Sequence, residues 1–359
     1  MSSKGRKPSS NRPVKHHHVN KAYLKRFCEN GQYHQYMANR GADDKVTFQW
    51  AGGNPGTTGY VEHLYDSPAD TPNRCHVEAE LTQIEKAGMK GIDSILASKP
   101  SSFDSRSEPG ITTYIAAMAM RSPNAMQEKV QLEPLMNAGL VKGEYPNNPG
   151  AEGVLEDIKT VRPHLQSIQW HLYWFDGQDG RVLVTSDRPV GIYALAEVHP
   201  QTGGTLQPRP VEAGPPDSWA KLAICTFPLS PTCAAIGFKG TRRDLEHALN
   251  LQVGIDCDDR LPGWVNTMTA WQAERIYTAD KGAKFLLPNP PEGPQDRQFT
   301  QMPETGIYVP QPRNQLGSIE ELVVAANQFH RAHTVQLNPN NPDEFMTKVQ
   351  ALRRQGVNI

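Results

Sequence analysis

The sequence predicts an α+β protein: a mixed or antiparallel sheet beside a central bundle of helices, with a proline-rich C-terminal arm. Three observations carry that expectation. Val77, Leu81, Ile84, Met89, Ile92, Ile95 and Leu96 recur at intervals of three and four, which puts them on one side of a helix. Aromatic and β-branched runs follow at 169–175, 181–185, 221–227 and 233–238, each bounded by Gly, Asp or Pro turn signals. Residues 288–312 then hold seven prolines, too many for a regular core element.

The elements are expected in this order. Residues 1–14 (MSSKGRKPSSNRPV) form a disordered basic leader, because Ser, Pro, Gly and Lys cannot bury enough surface to order a chain. A main domain covers 15–280. Within it, 32–40 and 46–51 read as short strands divided by Gly41-Ala42-Asp43-Asp44. Gly52-Gly53-Asn54-Pro55-Gly56 is a loop with neither GxGxxG nor P-loop spacing, so it is not read as a phosphate cradle. The helix over 77–96 carries Glu78, Glu80 and Glu85 in its first turns, where the helix dipole favours carboxylates. A second helix over 111–121 is apolar nearly all round, as a buried helix should be; Pro123 stops it, with Arg121 in the last turn. Helices are also expected at 124–138 and 150–167. The runs 169–175 and 181–185 flank an Asp-Gly turn and read as a hairpin. A second strand pair joins 221–227 to 233–238, and helices cover 242–252 and 262–277. Residues 281–317 are a linker or extended arm, and 318–359 a helical appendage, with helices at 319–331 and 344–353, packed loosely on the main domain.

Composition limits the function. Apolar residues make up 37% and charged residues 21% of 359, with a formal net charge of −1. No overall electrostatic case for nucleic acid or membrane follows. The charge is nevertheless uneven: residues 1–28 hold eight Lys and Arg before the first acid, Glu29. Such a leader would attract nucleic acid or another polyanion at low salt. Five widely spaced cysteines with no CxxC pair argue against a zinc knuckle and for free thiols in a reducing, cytoplasmic compartment. The polar start lacks the apolar centre of a signal peptide, and the longest mostly apolar run, 111–120, is about half of what a bilayer requires. No membrane partner is expected.

Several pieces occur in a recognisable order. Lys15-His16-His17-His18-Val19-Asn20-Lys21-Ala22-Tyr23-Leu24-Lys25-Arg26-Phe27 resembles the HHYVP opening, followed by YL, of the family called domain of unknown function 4238. Glu78 to Glu85 is similar to its E-x-x-L-x-x-x-E helix, Arg121-Ser122-Pro123 to its R-S-P helix end and Thr185-Ser186-Asp187-Arg188-Pro189-Val190 to its T-S-D-x-P-V. Phe227-Pro228-Leu229-Ser230-Pro231 resembles its P-L-S-P, and Asn266 with 273–277 its closing N and A-x-x-x-(I/V)-Y. The likeness covers about 15–280. Asn20 stands where the pattern has proline, and His18 where it has tyrosine. The resemblance implies shared structure and no reaction.

Two functions from different classes fit these residues. In the first, His17, Glu85 and Asp187 converge as ligands on a divalent metal, and Arg121 holds an anionic group. The protein is then a metal-assisted hydrolase acting on a phosphodiester or nucleic acid, with His17, Glu85, Arg121 and Asp187 as its catalytic residues. In the second, it is a non-catalytic interaction or sensor module, and the same residues form a structural polar network. Each residue supports both. Neighbouring residues of an extended chain alternate faces, so His16 and His18 point one way and His17 the other. Glu78 and Glu85 are seven apart and share a helix face, able to hold a cation or simply to face water. Arg121 ends an apolar helix and needs a partner, for which Glu85 and Asp187 are available. Asp187 follows a strand, where active-site carboxylates project, yet Ser-Asp-x-Pro is also ordinary turn chemistry. Asn266 reads as a helix cap. Ser230 lacks the G-x-S-x-G elbow, and Cys75-His76 matches no protease signature.

Overall fold

A computed structural model of the chain describes residues 15–40, 46–62, 64–65, 76–103, 109–122, 151–178, 181–194, 222–248, 260–271, 273–288 and 312–333. The leader 1–14, the helices expected at 124–138 and 344–353, and 289–311 of the arm lie outside the described residues.

The chain opens with β1 (Lys15–His17), the one-turn helix α1 (Lys21–Leu24) and a tighter turn over Lys25–Phe27. Strands β2 (Tyr33–Arg40), β3 (Val46–Gly53) and β4 (Tyr60–Glu62) follow, then helix α2 (His76–Ser98), strand β5 (Ser102–Phe103) and helices α3 (Pro109–Met120) and α4 (Ala151–Gln166). The middle holds strands β6 (Gln169–Trp174), β7 (Thr185–Ser186), β8 (Gly191–Ala194), β9 (Leu222–Ser230) and β10 (Cys233–Phe238). After them come helices α5 (Arg242–Ala248) and α6 (Leu261–Trp271), strands β11 (Arg275–Thr278), β12 (Phe285–Pro288) and β13 (Pro312–Gly317), and helix α7 (Ile319–His333). The fold is α+β, and every strand pairing among the described residues is antiparallel. No described helix is long and apolar enough to cross a membrane.

The frame is a five-stranded sheet in the order β5-β6-β10-β9-β8. Every residue of β10 is buried because both of its faces are covered. On one side Trp170, Leu172, Cys225, Phe227 and Ala235 meet the helix bundle of α2, α3 and α4. On the other, Tyr173, Ile224, Ala234 and Ile236 meet α6 and α7. Alternate side chains thus supply two cores, and each buried Ile or Phe contributes about 1.5–3 kcal/mol. Within the bundle α2 lies against α3 so closely that a Cβ on Gly88 would stand 2.2 Å from the Tyr114 Cβ. Glycine is therefore required at the crossing that brings Glu85 towards the end of α3.

Three expectations change. The runs 169–175 and 181–185 do not form a hairpin. Both edges of β6 are taken by β5 and β10, and Thr185–Ser186 joins a different four-stranded sheet, β3-β2-β11-β7. The expected helix over 262–277 ends at Trp271, and Arg275–Thr278 becomes a strand in that second sheet, because β2 and β7 offer it two ladders of backbone partners. Helix α7 is not loosely attached. Ile319, Leu322, Val323 and Ala326 are buried in the second core, and Trp50 of β3 donates to the Glu320 carboxylate at 2.5 Å.

Candidate functional site

The opening segment forms the centre to which the singled-out residues connect. β1 pairs with β4, so that His16 faces Val61 and His17 faces Tyr60 across the ladder. His16 and His18 are buried and His17 is half-buried, the alternation an extended strand imposes. The Nδ1 of His16 accepts from the backbone N–H of Tyr65 at 2.7 Å, and the two rings stack 5.5 Å apart. The Tyr65 hydroxyl donates to the Arg121 carbonyl at 2.9 Å, tying this strand to the end of α3. Asn20 has φ −59°, a value proline would adopt, and its Oδ1 accepts from the N–H of Tyr23 at 2.9 Å. Asn20 thus combines a backbone angle open to proline with a side-chain cap on α1.

Tyr23 reaches the other motifs. Its hydroxyl is fully buried and donates to the Pro228 carbonyl at 2.7 Å; with that proton committed, it accepts from the Thr185 hydroxyl, also at 2.7 Å. Burial pushes the phenol well above its ordinary range. The Tyr23 ring stacks on Phe227 at 5.2 Å. One side chain therefore joins the opening segment to β7 and β9.

Arg121 is fully enclosed. Its Nη1 pairs with the Glu85 carboxylate at 2.5 Å, and its Nη2 lies 3.0 Å from the Met118 sulfur. Burial alone would lower the guanidinium pKa, but Glu85, Tyr65 and Tyr114 outweigh it and hold the charge firmly in place. Glu85 is 22% exposed, so the pair lies at the edge of the bundle rather than at its middle. Glu78, two turns earlier on α2, is raised to about 7 by burial and by the charge of Glu85, with Arg121 opposing. Burial, the charges of Arg121 and Arg275 and that of His17 push His18 down to about 3, so its ring is neutral at physiological pH. Arg121 Nε, the Tyr114 hydroxyl and His18 Nδ1 are buried without a hydrogen-bond partner among the described residues.

Asp187 does something else. It is 7% exposed, and its Oδ1 accepts from the N–H groups of Glu274 and Arg275 at 3.1 and 3.2 Å, while its own N–H donates to the Arg275 carbonyl at 3.0 Å. This is a clamp between the turn after β7 and the start of β11. Burial raises its pKa to about 6 against the opposing pull of those bonds. Asn266 is no cap: it lies within α6, where its Oδ1 accepts from Val184 N–H at 2.9 Å and its Nδ2 donates to the Val182 carbonyl at 2.8 Å. The helix starts at Leu261, so position 266 faces the chain that enters β7.

The four expected site residues are thus divided. Glu85 and Arg121 are together, Asp187 holds backbone, and His17 lies at the β1 edge with its ring 5.7 Å from that of Tyr60. Among the described residues no group of three or more His, Cys, Asp and Glu could hold a metal ion, so His17, Glu85 and Asp187 do not form the expected ligand set. Sequence reasoning missed Tyr23, Tyr65, Tyr114 and the buried role of His18. A tyrosine in an otherwise apolar helix, as at 114, was the available signal, since a buried hydroxyl needs a partner.

A family model described as "Protein of unknown function (DUF4238)" matches residues 15–282. No curated protein and no solved structure matches the chain.

Proposed function

The chain belongs to the DUF4238 family of proteins of unknown function, and from that premise we propose that it is a non-catalytic sensor or interaction module whose buried polar network holds the opening segment in the fold. The observation that carries this reading is the enclosure of Arg121, whose guanidinium is committed to Glu85 and whose carbonyl is committed to Tyr65. A catalytic acid or base has to come within hydrogen-bond reach of a substrate proton. Arg121, His16 and His18 lie behind packed side chains, and Asp187 gives its oxygen to two backbone donors. A metal-assisted hydrolase would need His17, Glu85 and Asp187 on one ion, whereas Glu85 engages Arg121 and Asp187 engages two backbone N–H groups. A cytoplasmic setting belongs to the same proposal, supported by the unpaired thiols of Cys28, Cys225 and Cys233.

The test is a hydrolysis assay with bis(p-nitrophenyl) phosphate and single-stranded DNA in magnesium, manganese or zinc. The expected result is no turnover above the blank, while Glu85→Gln lowers the Tm. Turnover that disappears in Asp187→Asn without a change in Tm would overturn the module reading.

A further inference from the structure

We propose that the outer edge of β3 is a self-association surface, on which β3 of a second copy of this chain adds as an antiparallel strand to form a closed two-fold dimer. The inference stands apart from the module reading, since β3 carries none of the residues of the polar centre.

Three observations converge on this edge. First, β3 ends the sheet β3-β2-β11-β7, and β2 is its only strand neighbour among the described residues. Alternate residues of an antiparallel strand turn their N–H and C=O to the same side. Half of the eight residues of β3 therefore present backbone groups away from β2. Second, the other ends of the two larger sheets are blunted, and this one is not. β5 and β7 are two residues long, and β8 is four residues long with a shift of register against β9. β3 pairs with β2 through eight consecutive residues, Val46 to Gly53, without a bulge. Its sequence, Val46-Thr47-Phe48-Gln49-Trp50-Ala51-Gly52-Gly53, holds neither a charge nor a proline. Short length, bulges, charges and prolines are the devices that keep a sheet edge from pairing with another chain. β3 has none of them. Third, the edge is suited to pairing and held in place. Val46, Thr47, Phe48 and Trp50 are β-branched or aromatic, the residue types that fit a pleated surface. Trp50 packs 5.2 Å from the Tyr36 ring and donates to Glu320, so little order remains to be imposed when a strand adds.

The same chain supplies the matching strand. Two copies of β3 meet without like-charge opposition, because neither carries a charge. Antiparallel pairing of identical strands is an isologous contact that uses up the edge on both copies. At the far end of the sheet β7 is too short to accept a third chain. Association therefore stops at two, with two four-stranded sheets joined into one.

The test is sedimentation equilibrium of the full chain over a range of concentrations, with amide hydrogen exchange measured at both ends of that range. The mass should rise towards that of a dimer and no further, and the amides of β3 should exchange more slowly at the high concentration. Gln49 is exposed, so Gln49→Lys can be made without disturbing the core. It should weaken the dimer about three- to tenfold at low salt, and mixing it with Gln49→Glu should restore association. If either variant fails to fold, the exchange of β3 in the parent chain carries the comparison. Three outcomes would overturn the proposal. One is a monomer at every concentration; another is a dimer whose β3 amides exchange at a rate independent of concentration, which would place the contact elsewhere. The third is a monomer whose β3 amides are protected by a synthetic peptide of residues 46–53, which would assign the edge to a strand from another protein.

Discussion

Two buried polar regions hold this fold, and they are built on opposite plans. The clamp around β7 joins side chains to backbone: Asp187 to Glu274 and Arg275, Asn266 to Val182 and Val184. The hub at the end of α3 joins side chain to side chain through full charges, Arg121 to Glu85 with Glu78 nearby, and leaves three buried atoms without a partner. A backbone-directed bond fixes where a segment runs and asks little of charge. A partly satisfied charged centre is costly to maintain, because a low-dielectric interior penalises every polar group left without a partner. The clamp therefore fixes the path of the backbone, and the hub fixes how α2 meets the end of α3.

The largest effect should come from breaking the charged pair. Arg121→Ala leaves a carboxylate at a half-closed site and empties a fully buried volume. We expect a loss of about 3–5 kcal/mol by chemical denaturation, and a loss near zero would show that the hub does not hold α2 to α3. Next is Asn266→Leu, which strips partners from the N–H of Val184 and the carbonyl of Val182. A cost of about 2–3 kcal/mol is expected, and the same unfolding curves measure it. Tyr23→Phe removes the hydroxyl between Thr185 and Pro228 and should cost about 1–2 kcal/mol, again without changing the pattern of strands seen by amide exchange. Each result sharpens the contrast between backbone-directed and charge-directed bonding.

The smallest effect is the most specific. Glu78 is held near 7 in the folded chain, above the 4.5 of an unperturbed glutamate, so the fold binds its proton more tightly than the unfolded chain does. Its contribution is favourable below about pH 4.5 and is lost as the pH rises through about 7. Glu78→Gln should therefore raise the Tm slightly at pH 8 and leave it unchanged at pH 4. The charged neighbours that set this value among the described residues are Glu85 on α2 and Arg121 at the end of α3. A Tm gain of equal size at both pH values would show that the hub does not shift the titration of Glu78.

Much of the fold was legible locally. The three-and-four spacing from Val77 to Leu96 found α2, and the all-apolar run found α3 with Arg121 at its end. Glu85 was one of two partners open to that arginine, and the structure selects it. The misreadings share one cause. Residues 181–185 had the composition of a hairpin strand, yet Leu183 N–H donates to the Pro231 carbonyl and Val184 N–H to Asn266, partners 48 and 82 residues away. No local pattern states which edge of β6 is already occupied. Asn266 reads as a cap because polar residues before apolar runs cap helices. It lies instead inside the helix that starts at Leu261, and the same amide that caps a helix can bridge to a passing strand. Within the hub, sequence supplied the charges; only three-dimensional packing supplied Tyr65, Tyr114 and the neutral His18.

The most direct test of the distinction between clamp and hub is the Tm of Asp187→Asn beside that of Asp187→Ala at pH 7. The amide oxygen of asparagine can still accept from Glu274 and Arg275, and it removes a charge whose burial is unfavourable. The account predicts that Asn stays within about 1 kcal/mol of the parent while Ala loses about 2 kcal/mol. If Asn destabilises the fold as much as Ala, or abolishes an activity while leaving the Tm alone, the carboxylate charge itself is required, and Asp187 is not the backbone clamp described above.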